Sequence, residues 1–217
     1  MNLALVLPAL CLVTDCRLCS AERLVSTVAA AVDGGVTMVQ LREKDLPAVE
    51  LFRLALALKE AVGDRALVLV NDRVDVALAT GADGIQLGAG SLPVPAARAL
   101  VGSGRLLGRS VHNVAEAVQA ERDGADFLVL GTIYPSRSHP GTPGAGPGLV
   151  GQVKAAVQVP IIAIGGVDAG NAGEVMAAGA AGVAVISAIL GAAAPRAAAR
   201  DLATAVAAGW RLREVPR

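Results

Sequence analysis

Short apolar runs recur about every 20 to 25 residues along the chain, each followed by a stretch of helical period. The runs are Ala9–Thr14, Met38–Arg42, Ala66–Asn71, Gly84–Leu87, Leu106–Ser110, Phe127–Gly131, Pro160–Ile164 and Gly182–Ser187. They are almost uninterruptedly hydrophobic, as strands must be when both faces of their sheet are covered. Between them, Ala- and Leu-rich segments such as Ala21–Val32, Ala48–Ala61, Val114–Arg122 and Asn171–Ala178 read as amphipathic helices. Turns such as Gly81-Ala82-Asp83-Gly84 and Gly179-Ala180-Ala181-Gly182 separate a helix from the next strand. Eight such units predict the α/β class, a single (β/α)8 TIM barrel over residues 1–217. An open doubly wound sheet is the alternative.

Composition narrows this picture. The length of 217 residues suits one domain and lies near the roughly 200 residues a barrel without large insertions needs. Hydrophobic residues at 54% against 18% charged exclude disorder. Aromatics make up only 2%, so the core must be built from Ala, Val, Leu and Ile. Lys plus Arg balance Asp plus Glu at 19 each, which argues against a nucleic-acid or anionic-membrane surface. Leu3–Val13 is apolar but contains Pro8 and has no basic flank, so a signal peptide is not expected. Val175–Pro195 carries no charge, yet Gly179, Gly182 and Gly191 interrupt it. It reads as helix end, strand and short helix rather than a membrane span. A cytoplasmic protein is expected, with a homo-oligomer left open. Cys11, Cys16 and Cys19 read as ordinary reduced thiols, although Cys16 and Cys19 have the C-x-x-C redox spacing.

In a parallel barrel, chemistry collects just past the C-terminal ends of the strands. Arg42, Lys44, Asn71, Asp72, Gln86, Ser110, His112, Thr132 and Ser187 all fall there. Gln40 and Arg42 share one face of their strand, with Lys44 just beyond. Two cations and an amide at a barrel mouth suit a carboxylate, phosphate or diphosphate. A salt-bridged loop using Glu43 is the plainer reading. Ile164-Gly165-Gly166 and Ile186-Ser187 end strands seven and eight, where barrels often bind phosphate, and tight turns that need glycine are the alternative. His112 is one of two histidines and could move protons near neutral pH. The Gly/Pro loop holding Ser138 and His139 could be a lid or an idle surface loop.

Gln40-x-Arg42-x-Lys44, Val70-Asn71-Asp72, Gly108-x-Ser110-x-His112, Ile133-Tyr134-Pro135-Ser136, Ile164-Gly165-Gly166 and Ile186-Ser187 fall in one order. That order resembles the thiamine-phosphate synthase and thiazole tautomerase (TenI) family over nearly the whole chain. The resemblance implies thiamine biosynthesis and a phosphorylated thiazole as ligand. On the synthase pattern, Gln40, Arg42, Lys44, Asn71 and Ser110 serve a pyrimidine diphosphate, and Asp72 holds Mg2+. Gly165, Gly166, Ile186 and Ser187 take the thiazole phosphate, with Thr132 and Ser138 as further substrate contacts. Two positions depart from that pattern. Ser91 stands where the synthase has a second metal-binding Asp, and Ser138-His139 replaces Thr-Lys. Ile85-Gln86-Leu87 with Gly90-Ser91, and the stretch from Gly108 to Glu121, look like the tautomerase. Weighing these, the sequence favours a thiazole tautomerase, an isomerase needing no metal or redox cofactor. His112 would move the proton, and Gln86 with Arg42 or Lys44 would orient the carboxylate. The alternative is the Mg2+-dependent synthase, a transferase. A non-catalytic binding protein on the same barrel is the reading from another class.

Overall fold

A computed structural model describes residues 4–136, 141 and 143–213. The eight apolar runs are parallel strands that close in sequence order, β1 to β8, with β8 pairing back onto β1. They are β1 (Ala9–Val13), β2 (Met38–Leu41), β3 (Leu67–Asn71), β4 (Gly84–Leu87), β5 (Leu106–Val111), β6 (Phe127–Leu130), β7 (Ile161–Ile164) and β8 (Gly182–Val185). The open sheet is thereby excluded. The helices between them are α1 (Ala21–Asp33), α2 (Ala48–Val62), α3 (Val74–Thr80), α4 (Val94–Val101), α5 (Val114–Arg122), α6 (Gly148–Ala156) and α7 (Ala172–Ala177). The uncharged segment ends α7, crosses as β8 and closes with the short α8 (Ser187–Leu190), before the long α9 (Pro195–Arg213). Among the described residues no helix is long and apolar enough to cross a membrane.

Strand alternation sorts the apolar residues into two cores. Leu10, Leu12, Val39, Leu41, Val68, Val70, Ile85, Leu87, Leu107 and Leu128 face outward and pack under the helices. Ala9, Cys11, Val13, Met38, Leu69, Leu106, Phe127, Val129, Ile162 and Ala184 fill the barrel interior. The scarcity of aromatics now has a structural sense, because the interior accommodates one large ring only by leaving room elsewhere. A Cβ on Gly108 would lie 2.2 Å from Phe127 Cζ and 2.1 Å from Gln86 Oε1. Glycine at 108 therefore makes space for both side chains.

The same alternation carries Gln40, Asn71, Gln86 and Ser110 onto the inward face, each near the C-terminal end of its strand. Register fixes their neighbours: Asn71 lies opposite Gln86, and Gln86 opposite Gly108. Polar side chains thus cap the apolar interior on the side where the strands end.

Candidate active site

A chain of amides crosses the mouth. Gln40 is buried, at 6% exposed, and its Nε2 donates to Asn71 Oδ1 at 2.9 Å. Asn71 Nδ2 in turn donates to Asp72 Oδ2 at 2.8 Å. Asp72 Oδ1 accepts from the Gly88 N–H at 3.1 Å and meets the Ser91 hydroxyl, which also accepts from Gly88 N–H. Asp72 adopts φ 60°, the only described non-glycine residue with positive φ. Asp and Asn tolerate this left-handed conformation better than other side chains do. Backbone and hydrogen bonds together hold the carboxylate over the loop that follows β4.

Asp72 shares a cavity of about 300 Å³ with Glu43, Lys44, Asn71 and Arg73, floored by Leu46 and Leu51. Lys44 is exposed there, while Arg73 is already paired with Asp75 at 2.8 Å. Glu43 does not follow the plainer alternative of a salt bridge within its own loop: Oε2 accepts from Cys16 N–H at 2.9 Å, tying the β1 and β2 loops together, and Oε1 is buried without a hydrogen-bond partner. Arg42 N–H donates to Thr14 Oγ1 at 2.9 Å.

Gln86 is 2% exposed and donates through Nε2 to Ser110 Oγ at 3.1 Å. With its lone pair so engaged, the Ser110 hydroxyl keeps its hydrogen for a ligand. Gln86 Nε2 also donates to Leu87 O at 3.4 Å, and its Oε1 is buried without a hydrogen-bond partner.

On the far side, the Gly165-Gly166 turn is packed against the segment after β6. Tyr134 N–H donates to Gly165 O at 2.9 Å, and Asn171 Nδ2 to Gly166 O at 2.9 Å. Tyr134 Oη donates to Glu174 Oε2 at 2.7 Å; burial and that carboxylate push the phenol up to about 12. Thr132 abuts this turn, its Cγ2 lying 2.6 Å from where a Gly165 Cβ would stand. Ile186 precedes α8 and Ser187 is its first residue, exposed at the mouth. Ser138, Arg137 and His139 lie outside the described residues.

His112 is engaged at a helix end. Asn113 caps α5 by accepting from Glu116 N–H at 2.9 Å, and the Glu116 carboxylate accepts from His112 N–H at 2.8 Å. The His112 ring pairs with Glu116 Oε2 at 3.1 Å, and its side chain is 57% exposed. Burial alone would raise the Glu116 carboxyl, but these hydrogen bonds hold it below its ordinary range. The arrangement is a reciprocal helix cap, and His112 lines one cavity with Ser91, Arg109, Ser110 and Glu116. His112→Ala is accordingly expected to leave kcat/KM for the overall reaction within about threefold, as for a solvated surface pair. Steady-state kinetics check this, and a hundredfold loss would return His112 to the proton-transfer role.

The three cysteines are free. Burial pushes the Cys11 thiol up to about 12, and burial with the Glu43 carboxylate does the same to Cys16. Both effects disfavour the thiolate that redox chemistry requires. Sequence reasoning passed over Thr14 and Asp15, although both stand just past the end of β1 and the rule applied to the other strands would have found them. It also gave Glu43 only a local partner, because nothing in the sequence pairs residues 16 and 43.

Residues 10–189 match the thiamine monophosphate synthase family. The chain is 50% identical over 178 residues to a thiamine-phosphate synthase of Moorella thermoacetica, covering 81% of this chain and 84% of that one. It is 47% identical over 180 residues to the thiamine-phosphate synthase of Methanoculleus marisnigri, covering 82% and 85% respectively. Among solved structures, thiamine phosphate pyrophosphorylase from Pyrococcus furiosus superposes with a TM-score of 0.86 at 36% identity, covering 93% of this chain and 96% of that one. A 3-hexulose-6-phosphate synthase at 22% identity and TM-score 0.75 shares the fold.

These relatives overturn the preference for a tautomerase and for an isomerase. That preference rested on two substitutions and on two tautomerase-like stretches, around Gln86 and from Gly108 to Glu121, whereas the likeness to the synthases extends over 81% of this chain. Its physical argument was that nothing compensates for the missing carboxylate at position 91, whereas the Ser91 hydroxyl reaches Asp72. The chain belongs to the thiamine monophosphate synthase family.

Proposed function

We propose that the chain is a thiamine-phosphate synthase, joining a hydroxymethylpyrimidine diphosphate to a thiazole phosphate. The observation that carries this reading is the anchored Asp72 carboxylate sharing one cavity with Lys44. A carboxylate for a metal beside a cation for a leaving diphosphate suits that chemistry, whereas a proton shift needs no metal-binding carboxylate. The relatives' names support it.

In the reaction, the bond from the pyrimidine methylene to the diphosphate oxygen breaks, and its electron pair departs with diphosphate. The thiazole nitrogen lone pair then forms the new C–N bond. Arg42 and Lys44 would hold the diphosphate, and their positive charge favours its departure. Gln40, Asn71 and Ser110 would hold the pyrimidine. The donation from Gln40 Nε2 to Asn71 leaves Gln40 Oε1 as an acceptor, and Ser110 offers a hydroxyl hydrogen. The Gly165-Gly166 carbonyls are held by protein donors, so what this turn offers a thiazole phosphate is its N–H groups, with Ser187 opposite. Thr132 and Ser138 remain candidate contacts to the substrates.

The donor set fits Mg2+. Asp72 Oδ1 and the Ser91 hydroxyl are hard oxygen donors brought to one point, and Mg2+ commonly takes one or two carboxylates and completes its shell from substrate phosphates. When bound, the ion would neutralise charge developing on the diphosphate. Purified protein given both substrates and Mg2+ should release one diphosphate for each thiamine phosphate formed, measured by coupled phosphate release and chromatography. Absence of thiamine phosphate would refute the reading.

A further inference from the structure

We propose that Gln86 is a positioning residue for the pyrimidine diphosphate, holding the Ser110 hydroxyl so that it can only donate to the substrate. The inference rests on the synthase reading above. Gln86 is 2% exposed, whereas Ser110 is half-buried at the mouth and is the more accessible of the two. A neighbouring carbonyl fixes the sense of the bond between them. Leu87 O, 3.4 Å from Gln86 Nε2, can only accept, so the nitrogen end of the amide must face it. The same nitrogen then meets Ser110 Oγ at 3.1 Å, and the serine oxygen accepts. The hydroxyl hydrogen is thereby directed away from Gln86, and among the described residues no group accepts it.

Stability gives no account of this amide. Its Oε1 is buried without a partner. That oxygen lies against Gly108, where a Cβ would stand 2.1 Å from it and 2.2 Å from Phe127 Cζ. Phe127 belongs to the apolar filling of the barrel, and a polar atom left unpaired in such a place is costly. Methionine has nearly the same length and shape and would occupy the space without that cost. What glutamine supplies and methionine cannot is the donor that turns the serine hydroxyl. A serine free to rotate can either donate or accept. Held by Gln86, it selects a substrate atom that carries a lone pair. Hydroxymethylpyrimidine diphosphate offers such atoms in its ring nitrogens and in its diphosphate oxygens, while its amino group, a donor, is the wrong partner.

Calorimetric titration with hydroxymethylpyrimidine diphosphate and Mg2+ tests this, with thiazole phosphate left out so that no coupling occurs. Gln86→Met should weaken binding about five- to tenfold, as for one neutral hydrogen bond lost, while its Tm equals or exceeds that of the wild type. Ser110→Ala should weaken binding about tenfold. In the Ser110→Ala background, Gln86→Met should add no more than about twofold, because the glutamine acts through the serine. Inorganic diphosphate as a second ligand locates the acceptor. Weakening shared by both ligands assigns it to a diphosphate oxygen, and weakening confined to the pyrimidine compound assigns it to a ring nitrogen. Three outcomes overturn the proposal: unchanged binding in either single variant, effects that multiply in the double variant, or a Gln86→Met protein that does not fold, which would make the amide a structural element. Thiamine phosphate formation together with multiplying effects would sink this inference alone. The expected binding pattern without thiamine phosphate formation would sink only the synthase reading.

Discussion

Asp72→Asn is expected to lower kcat/KM for thiamine phosphate formation by about 10²- to 10³-fold, with the loss mainly in kcat. Asn tolerates the φ of 60° at this position and keeps one oxygen to accept from Gly88 N–H. The backbone and the loop after β4 should therefore survive. What disappears is the negative charge, and with it the proposed grip on an ion that would stabilise the departing diphosphate by several kcal/mol. A tenfold rate change corresponds to about 1.4 kcal/mol, so losing two to three such steps matches the removal of one charged ligand. The amide also places a donor where Asn71 Nδ2 or Gly88 N–H now donates, at a cost of about 1 kcal/mol in stability. Asp72→Ala should be similarly inactive but less stable, because it forfeits both the hydrogen bonds and the tolerance for the left-handed backbone. Kinetics and thermal melts separate the two effects. Activity of Asp72→Asn within threefold of wild type would remove this carboxylate from the mechanism.

The second large effect concerns the turn after β7. Gly166 has φ 63°, and a Cβ there would lie 2.6 Å from Pro135 O and 2.7 Å from Tyr134 Cβ. Valine meets two obstacles: a β-branched side chain is strained at this φ, and its Cβ must push away the segment that Tyr134 anchors. That segment is held by Tyr134 N–H to Gly165 O and by Tyr134 Oη to Glu174, so it cannot yield without breaking those bonds. Gly166→Val is expected to destabilise the fold by about 2–4 kcal/mol. In the fraction that folds, KM for the thiazole phosphate should rise about a hundredfold, because the turn's N–H groups no longer point where they did. KM for the pyrimidine diphosphate, which we propose is held across the mouth by Gln40, Asn71 and Ser110, should change by about threefold at most. An equal rise in both KM values would show general disruption, and no rise in either would place the phosphate elsewhere.

The strands were legible because a buried parallel strand must be apolar on both faces, and a run such as Ile161-Ile162-Ala163-Ile164 has few other uses. Observed strand ends differ from the predicted ones by at most two residues, as between Gly182–Ser187 and Gly182–Val185. Boundaries blur because the first loop residue past a strand can be as apolar as the strand, as Ile186 is. Knowing where each strand ends was also enough to nominate Gln40, Asn71, Asp72, Ser110 and Ser187, since the fold brings those ends together. The long α9 was not anticipated; its Ala-rich sequence has a weak apolar stripe, and packing against α1 and α7 gives it its place.

Pairing between residues distant in sequence was decided only in three dimensions. Nothing in the order of residues joins Gln40 to Asn71, 31 positions away, or brings the Ser91 hydroxyl to Asp72 across 19. Read in sequence, serine at 91 is a missing carboxylate; in the barrel it is an oxygen already at the site. His112 shows the converse. Its position after β5 suggested a proton carrier, but only the structure shows its ring paired with Glu116 one turn on. Sequence determined which residues reach the end of the barrel where chemistry occurs, because strand periodicity is local. Tertiary structure decided which of them touch, because hydrogen bonds between strands depend on register and loop conformation.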